Sequence, residues 1–189
     1  TVVASRLGRV LLELGGNNAI IISNDADLKI AIRGALFGAV GTAGQRCTST
    51  RRLIVQEEVY NEVKEKLVAA YSQLRVGNPM IETNHVGPLI DKDAVKIYLE
   101  AIKECKKSGG NFIVEGEVLD GESFESGCYV KPCIAEISPE NTIAHKETFA
   151  PILYLIKYKT LEEAIAIQNA VPQGLSSSIM TCNLREAET

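Results

Sequence analysis

The chain is short of histidine, of paired cysteines and of long apolar runs, and each shortage closes off a class of function. Only His85 and His145 occur, neither at a ligand spacing from a cysteine, which argues against a structural zinc site. Five cysteines, an odd number with no C-x-x-C pair, favour free thiols in a reducing compartment over a disulfide framework. The expected location is therefore intracellular, cytoplasmic or mitochondrial. The opening TVVASRLGRVLLELGG lacks the charged, apolar and small-residue order of a signal peptide and reads like a chain cut mid-protein. The uncharged stretch 34–45 falls well short of the roughly 18 apolar residues that span a bilayer, so no membrane partner is expected. Lysine and arginine are scattered and the formal net charge is -4, which argues against a nucleic-acid partner. Neither a G-x-G-x-x-G nor a G-x-x-x-x-G-K loop occurs. Any dinucleotide site must be completed by residues outside the chain.

What is present points to one layered domain. A length of 189 residues suits a single core that buries roughly 70% of its unfolded surface. The hydrophobic fraction of 46% and charged fraction of 23% are those of ordinary soluble domains, so neither disorder nor a fibrous repeat is indicated. AIIIS (19–23) is a strand candidate, and NDAD after it caps a helix over 28–40. RRLIVQ (51–56) is a second strand, followed by helical spacing over 57–74 and 91–110. NFIVEG (111–116), CYVKPCIAEI (128–137), APILYLIKY (150–158) and LSSSIMT (175–181) complete the strands, with a helix over 161–170 and another starting after Leu184. This alternation predicts an α/β architecture, a largely parallel sheet flanked by helices. Gly34, Gly38 and Gly41 share one helical face, where close packing on a sheet is expected.

Chemistry is expected in the loops. Cys105 lies on the apolar face of a helix, and Cys128, Cys133 and Cys182 border strands, so these four default to packing. Cys47, in GTAGQRCTSTRR (41–52), alone follows a glycine-rich loop. A free thiol is about 3% thiolate at neutral pH, so a nucleophilic Cys47 needs backbone donors of the kind this loop could offer; a plain helix-to-strand connection would use glycines as well. Glu13, in LLELGGNN, is either solvated, paired with an arginine such as Arg9 or Arg33, or retained as a base between apolar stretches, where an unpartnered charge is costly. A thiol and a carboxylate beside glycine turns form the nucleophile and water-activating base that thioester chemistry requires.

With ELGG, GQRCT, HKETFAPI (145–152) and NAVPQGLSSSIMT (169–181) in this order, the chain resembles the NAD(P)-dependent aldehyde dehydrogenase family. Within it the chain looks most like the α-aminoadipic semialdehyde dehydrogenase branch. The resemblance implies that residues 1–189 are a single catalytic-domain fragment, with the cofactor-binding domain and the C-terminal part of the parent enzyme absent. It implies Cys47 as the nucleophile and Glu13 as the base, Glu13 also facing the cofactor. It further implies that Glu147 holds the nicotinamide ribose, that Phe149 packs near the nicotinamide and that the Leu14 carbonyl meets the carboxamide. Ala150 stands where most of the family has glycine, a departure that the branch shares.

Arg46 and Thr48 flank the nucleophile as candidate contacts to the substrate, a small-molecule aldehyde. Against Arg46 stand Arg51 and Arg52, which show how common basic residues are in this segment. The cofactor implied is NAD or NADP, bound by the parent enzyme and not fully by this fragment, and the parent is expected to be a homo-oligomer. Two other readings remain open, a non-catalytic association module that retains the fold and a cofactor-free thiol hydrolase using Cys47 and Glu13.

Overall fold

Runs of isoleucine, valine and leucine bounded by turn residues become strands because β-branched side chains pack well on a pleated surface covered on both faces. A computed structural model describes residues 2–189. Its sheet comprises β1 (Asn18–Ile22), β2 (Thr50–Gln56), β3 (Asn111–Val114), β4 (Cys133–Glu136), β5 (Ile152–Tyr158) and β6 (Ser177–Met180). They lie in the order β3-β4-β5-β2-β1-β6. β3 runs antiparallel to β4, and every other neighbouring pair is parallel, in agreement with the layered α/β expectation. Ile22, Leu53, Ile54, Val55, Ile134 and Leu155 have no exposed surface and form the middle of the core.

The helices are α1 (Val2–Ser5), α2 (Leu28–Val40), α3 (Tyr60–Tyr71), α4 (Lys92–Lys107), α5 (Leu161–Asn169) and α6 (Leu184–Ala187). Asp27 starts α2 by accepting from the amides of Lys29 and Ile30, and Asp91 starts α4 by accepting from Ala94 at 2.8 Å, each satisfying donors that a helix end leaves free. The small-residue face of α2 rests on the sheet: a Cβ at Gly38 would strike the Thr50 hydroxyl, and one at Gly34 would press on Met180. No helix among the described residues is long and apolar enough to cross a membrane.

Three expectations need correction. The helix expected over 57–74 begins at Tyr60, because Gln56–Val59 first close a turn through the Val59 amide and the Gln56 carbonyl. The strand expected over 128–137 begins only at Cys133. Pro132 has no amide to offer a ladder, and Val130 makes just an isolated bridge with Val118. Cys105 and Cys133 are buried as expected, but Cys182 is exposed and Cys128 half-buried. β6 lies at the edge of the sheet, and Cys182 follows it in the turn before α6 with nothing packed over its side chain.

One irregularity matters for function. Asn18 pairs with Thr50 but Ala19 pairs with Arg52, so Arg51 is an extra residue in β2 against β1. A bulge of this kind re-aims the side chain it carries.

Candidate active site

Open α/β sheets usually bind ligands beyond the carboxyl ends of their strands. Here the candidate residues gather before the amino ends. Gly15–Asn17 precede β1, Cys47–Ser49 precede β2, and Glu147–Pro151 precede β5.

The nucleophile loop is built in two tight steps. After α2, Thr42 and Ala43 take φ of 55° and 54°, and Gly44 takes 69°. A left-handed backbone costs a non-glycine residue about 1–3 kcal/mol and persists only where the surroundings impose it. Gln45 supplies much of that constraint: its amide nitrogen donates to the Thr42 and Pro88 carbonyls, and its oxygen accepts from Ile90 at 2.8 Å. Gly44 is also pressed against the Ala150 backbone. The chain then makes a second turn, with Ser49 N–H donating to Arg46 O and Arg46 N–H to Ser49 Oγ, both at 3.1 Å. Asn18 Nδ2 fixes this turn by donating to the carbonyls of Cys47 (2.7 Å) and Ser49 (2.8 Å). Cys47 and Thr48 are its exposed tip.

Gly16 joins the other two segments to this turn. A Cβ there would collide with the Cys47 carbonyl, and its amide donates to Glu147 Oε1 at 3.1 Å. Glu13 is three residues upstream and exposed, with no ion-pair partner among the described residues, so the proposed pairing with Arg9 or Arg33 is not seen. The expectation that apolar neighbours make its charge costly also fails. Leu11, Leu12 and Leu14 are themselves largely exposed, so Glu13 remains in water.

Glu147 is partly buried, and Phe149 is 43% exposed beside it. Glu147 Oε1 accepts from both Gly16 and Arg51, the latter an ion pair at 3.2 Å. Oε2 points over Gly15, where a side chain would displace it. Arg46 is exposed, with its guanidinium 5.9 Å from the Phe37 ring centre. It lines a cleft of about 500 Å³ together with Arg33, Phe37 and His85. Thr48 lies outside the walls of that cleft, and so does Cys47. A larger hollow of about 740 Å³ runs between Val76–Pro88 and Ser123–Tyr129. It contains none of the candidate residues, and the convergence of side chains outweighs its size.

Arg51 and Arg52 were missed, as were Gly16 and Asn18. Both arginines are buried, at 2% and 1% exposure, rather than scattered surface charge. Arg51 turns toward Glu147 and the nucleophile loop. Arg52 turns instead to the Asn17 carbonyl and, at the end of α5, to the carbonyl of Gln168 and to that of Ile167, which it shares with the Ala170 amide. Burial lowers the Arg52 guanidinium to about 10. It lowers Arg51 as well, opposed first by Glu147 and more weakly by Tyr154 and Cys47. The available signal was the position of the pair, at the head of an apolar strand where charge is rarely free.

The thiols differ in kind. Burial raises Cys105 to about 11 and Cys133 to about 12, so neither forms thiolate near neutrality, whereas Cys47 and Cys182 are exposed. Iodoacetamide at pH 7, followed by peptide mapping, is expected to label Cys47 at least about 10-fold faster than Cys182, the outcome that a nucleophilic role for Cys47 requires. Cys105 and Cys133 should stay unlabelled until the chain unfolds. Equal rates at Cys47 and Cys182 would mean that exposure alone governs Cys47.

Comparison with known proteins agrees with the motifs. Residues 1–189 match the family described as "Aldehyde dehydrogenase family". The chain is 51% identical over 179 residues to aldehyde dehydrogenase family 7 member A1 of Pisum sativum, covering 95% of this chain and 34% of the relative. It is 51% identical over 183 residues to alpha-aminoadipic semialdehyde dehydrogenase of Rattus norvegicus, covering 96% and 33%. The chain thus spans about a third of the length of the curated relatives it matches. Among solved structures, betaine aldehyde dehydrogenase of Staphylococcus aureus in complex with NAD+ superposes with a TM-score of 0.93 at 26% identity, over 98% of this chain and 37% of that one. PnpE in complex with nicotinamide adenine dinucleotide gives 0.94 at 31%, over 98% and 38%.

Proposed function

The chain belongs to the aldehyde dehydrogenase family, and from that membership we propose that it is the catalytic segment of a longer NAD(P)-dependent enzyme that oxidises an aldehyde to a carboxylate. The observation that carries this reading is Gly16, which meets the Cys47 carbonyl and Glu147 Oε1 at one point and brings the Glu13 segment to both. Three segments far apart in the chain meet at Gly16, which supports the reading.

Cys47 Sγ adds to the aldehyde carbon, and the new oxyanion is held in part by the Cys47 backbone amide. Asn18 supports this by fixing the turn that aims that amide. After hydride departs, the thioester is hydrolysed by water that Glu13 deprotonates, releasing the carboxylate and the free thiol. Exposure suits Glu13 to this task, since its carboxylate is reachable by water.

The residues fit a nicotinamide dinucleotide. Glu147 Oε2 faces the space over Gly15 with its partner oxygen already held, so it can accept hydrogen bonds from a ribose diol. Phe149 presents part of its ring beside it, and the Leu14 carbonyl would meet the carboxamide. The nicotinamide, when bound, supplies the hydride acceptor. Arg46, exposed and next to Cys47 in the chain, would pair with a carboxylate on the substrate, and Thr48 would touch the substrate from the tip of the turn. Together with the similarity to the rat enzyme, this favours an amino-acid semialdehyde such as α-aminoadipic semialdehyde.

The test is to express the full-length enzyme and follow NADH or NADPH formation with α-aminoadipic semialdehyde. Turnover with either cofactor supports the reading, and no turnover with any aldehyde overturns it. The 189-residue chain alone is expected to be inactive. A non-catalytic association module is the second reading, favoured by the edge strand β6 and by the exposed Leu7, Leu11 and Leu12.

A further inference from the structure

Arg51 is 2% exposed, yet its ion pair with Glu147 is only one of its contacts. Nη1 donates to the carbonyls of Gly44 (3.1 Å) and Thr148 (2.8 Å), Nη2 to that of Arg46 (3.1 Å) and Nε to that of Gly16 (3.4 Å). The guanidinium carbon also lies 5.3 Å from the centre of the Phe149 ring. Core packing alone would be met by an apolar side chain in β2, and charge balance alone by a lysine. Neither explains a planar fork whose donors are divided among three segments, those before β1, β2 and β5.

We propose that Arg51 is a positioning residue that couples the carboxylate of Glu147 to the backbone of the nucleophile turn. The proposal rests on the functional reading above. On the cofactor side, Arg51 and the Gly16 amide both occupy Glu147 Oε1, which leaves Oε2 as the acceptor turned toward a ligand. On the nucleophile side, it holds the carbonyl of Gly44, the last residue of the left-handed turn, and that of Arg46, which is bonded to Cys47. The bulge at Arg51 delivers the side chain between the two. Movement of Glu147 is thereby transmitted to the carbonyls that frame Cys47. A lysine keeps one charge for Glu147 but gives up the fork, because its three donors leave a single nitrogen.

The experiment uses the full-length enzyme as wild type, Arg51→Lys, Glu147→Gln and the double variant, with kcat expressed per titratable Cys47 so that unfolded molecules do not count. Loss of charge-assisted bonds of this kind corresponds to about a 10-fold effect, so Arg51→Lys should raise KM for NAD by about 10-fold. In the Glu147→Gln background the same substitution should change KM by less than about 2-fold, since contacting residues are not additive. The alkylation rate of Cys47 should shift by about 3-fold or more in Arg51→Lys, with Cys182 as an unchanged internal standard, because the carbonyls framing the thiol lose their donor. A purely structural residue would lower thermal stability and the number of titratable sites while leaving KM and the alkylation rate per site unchanged, and that result overturns the proposal. So does a change in KM without a change at Cys47. If the wild-type enzyme oxidises no aldehyde, the functional reading fails on its own. Arg51 is then judged on the 189-residue chain, where an unchanged Cys47 alkylation rate in Arg51→Lys overturns the proposal and a changed rate supports it.

Discussion

In the full-length enzyme, Cys47→Ser is expected to lower kcat by about four orders of magnitude or more, with no acyl-enzyme detectable by mass spectrometry, because a hydroxyl at its ordinary pKa is a far weaker nucleophile than a thiolate. Glu13→Gln should behave differently. Thioester formation does not need the base, so one equivalent of NADH per site should appear rapidly, followed by steady turnover slowed by about 100-fold to 10,000-fold. The stalled intermediate should be visible as an acyl adduct on the peptide containing Cys47. The contrast between the two variants assigns the roles. Steady turnover lost without an initial burst in Glu13→Gln would move Glu13 to an earlier step than hydrolysis.

The second large effect belongs to a residue with no reactive group. Gly16→Ala places a methyl group against the Cys47 carbonyl and the Asn18 amide, both of which are held by the Asn18 bonds across the turn. Backbone cannot yield as a flexible side chain does, so the substitution should cost about 2–3 kcal/mol of stability, read as a lower urea midpoint. It should also slow Cys47 alkylation in whatever fraction remains folded, since relief of the clash requires the nucleophile turn to move. Gly174→Ala is the control: open space surrounds that position, and its midpoint should match that of the wild type within about 0.5 kcal/mol. Equal midpoints for the two variants would show that Gly16 does not hold the segments together.

The sheet was legible because its strands carry their signal in local composition. AIII and LIVQ need only be apolar, β-branched and bounded by turns to be recognised, and the Asp27 and Asp91 caps are as local. The limits of 128–137 and 57–74 were overdrawn, since apolar character continues past the point where Pro132 or the Gln56 turn ends the hydrogen bonding. At the site, Cys47, Glu13 and Glu147 stood out by residue type and motif. Asn18, Gly16 and Arg51 did not, because what they do is bridge segments that are 29, 131 and 96 positions apart. Glu13 shows the opposite error: its leucine neighbours read as a core that this chain does not build around them.

Secondary-structure quality and chemical competence pull in opposite directions at residue 51. Shortening β2 by that single residue would let the Asn18–Thr50 and Ala19–Arg52 pairs follow one another without interruption, and a stability screen could rank the result as an improvement. It would also leave the carboxylate at 147 without its cation and the three segments without a tie. Regularising this strand is therefore a route to a sound but idle molecule, and directed evolution for robustness should hold the irregularity fixed.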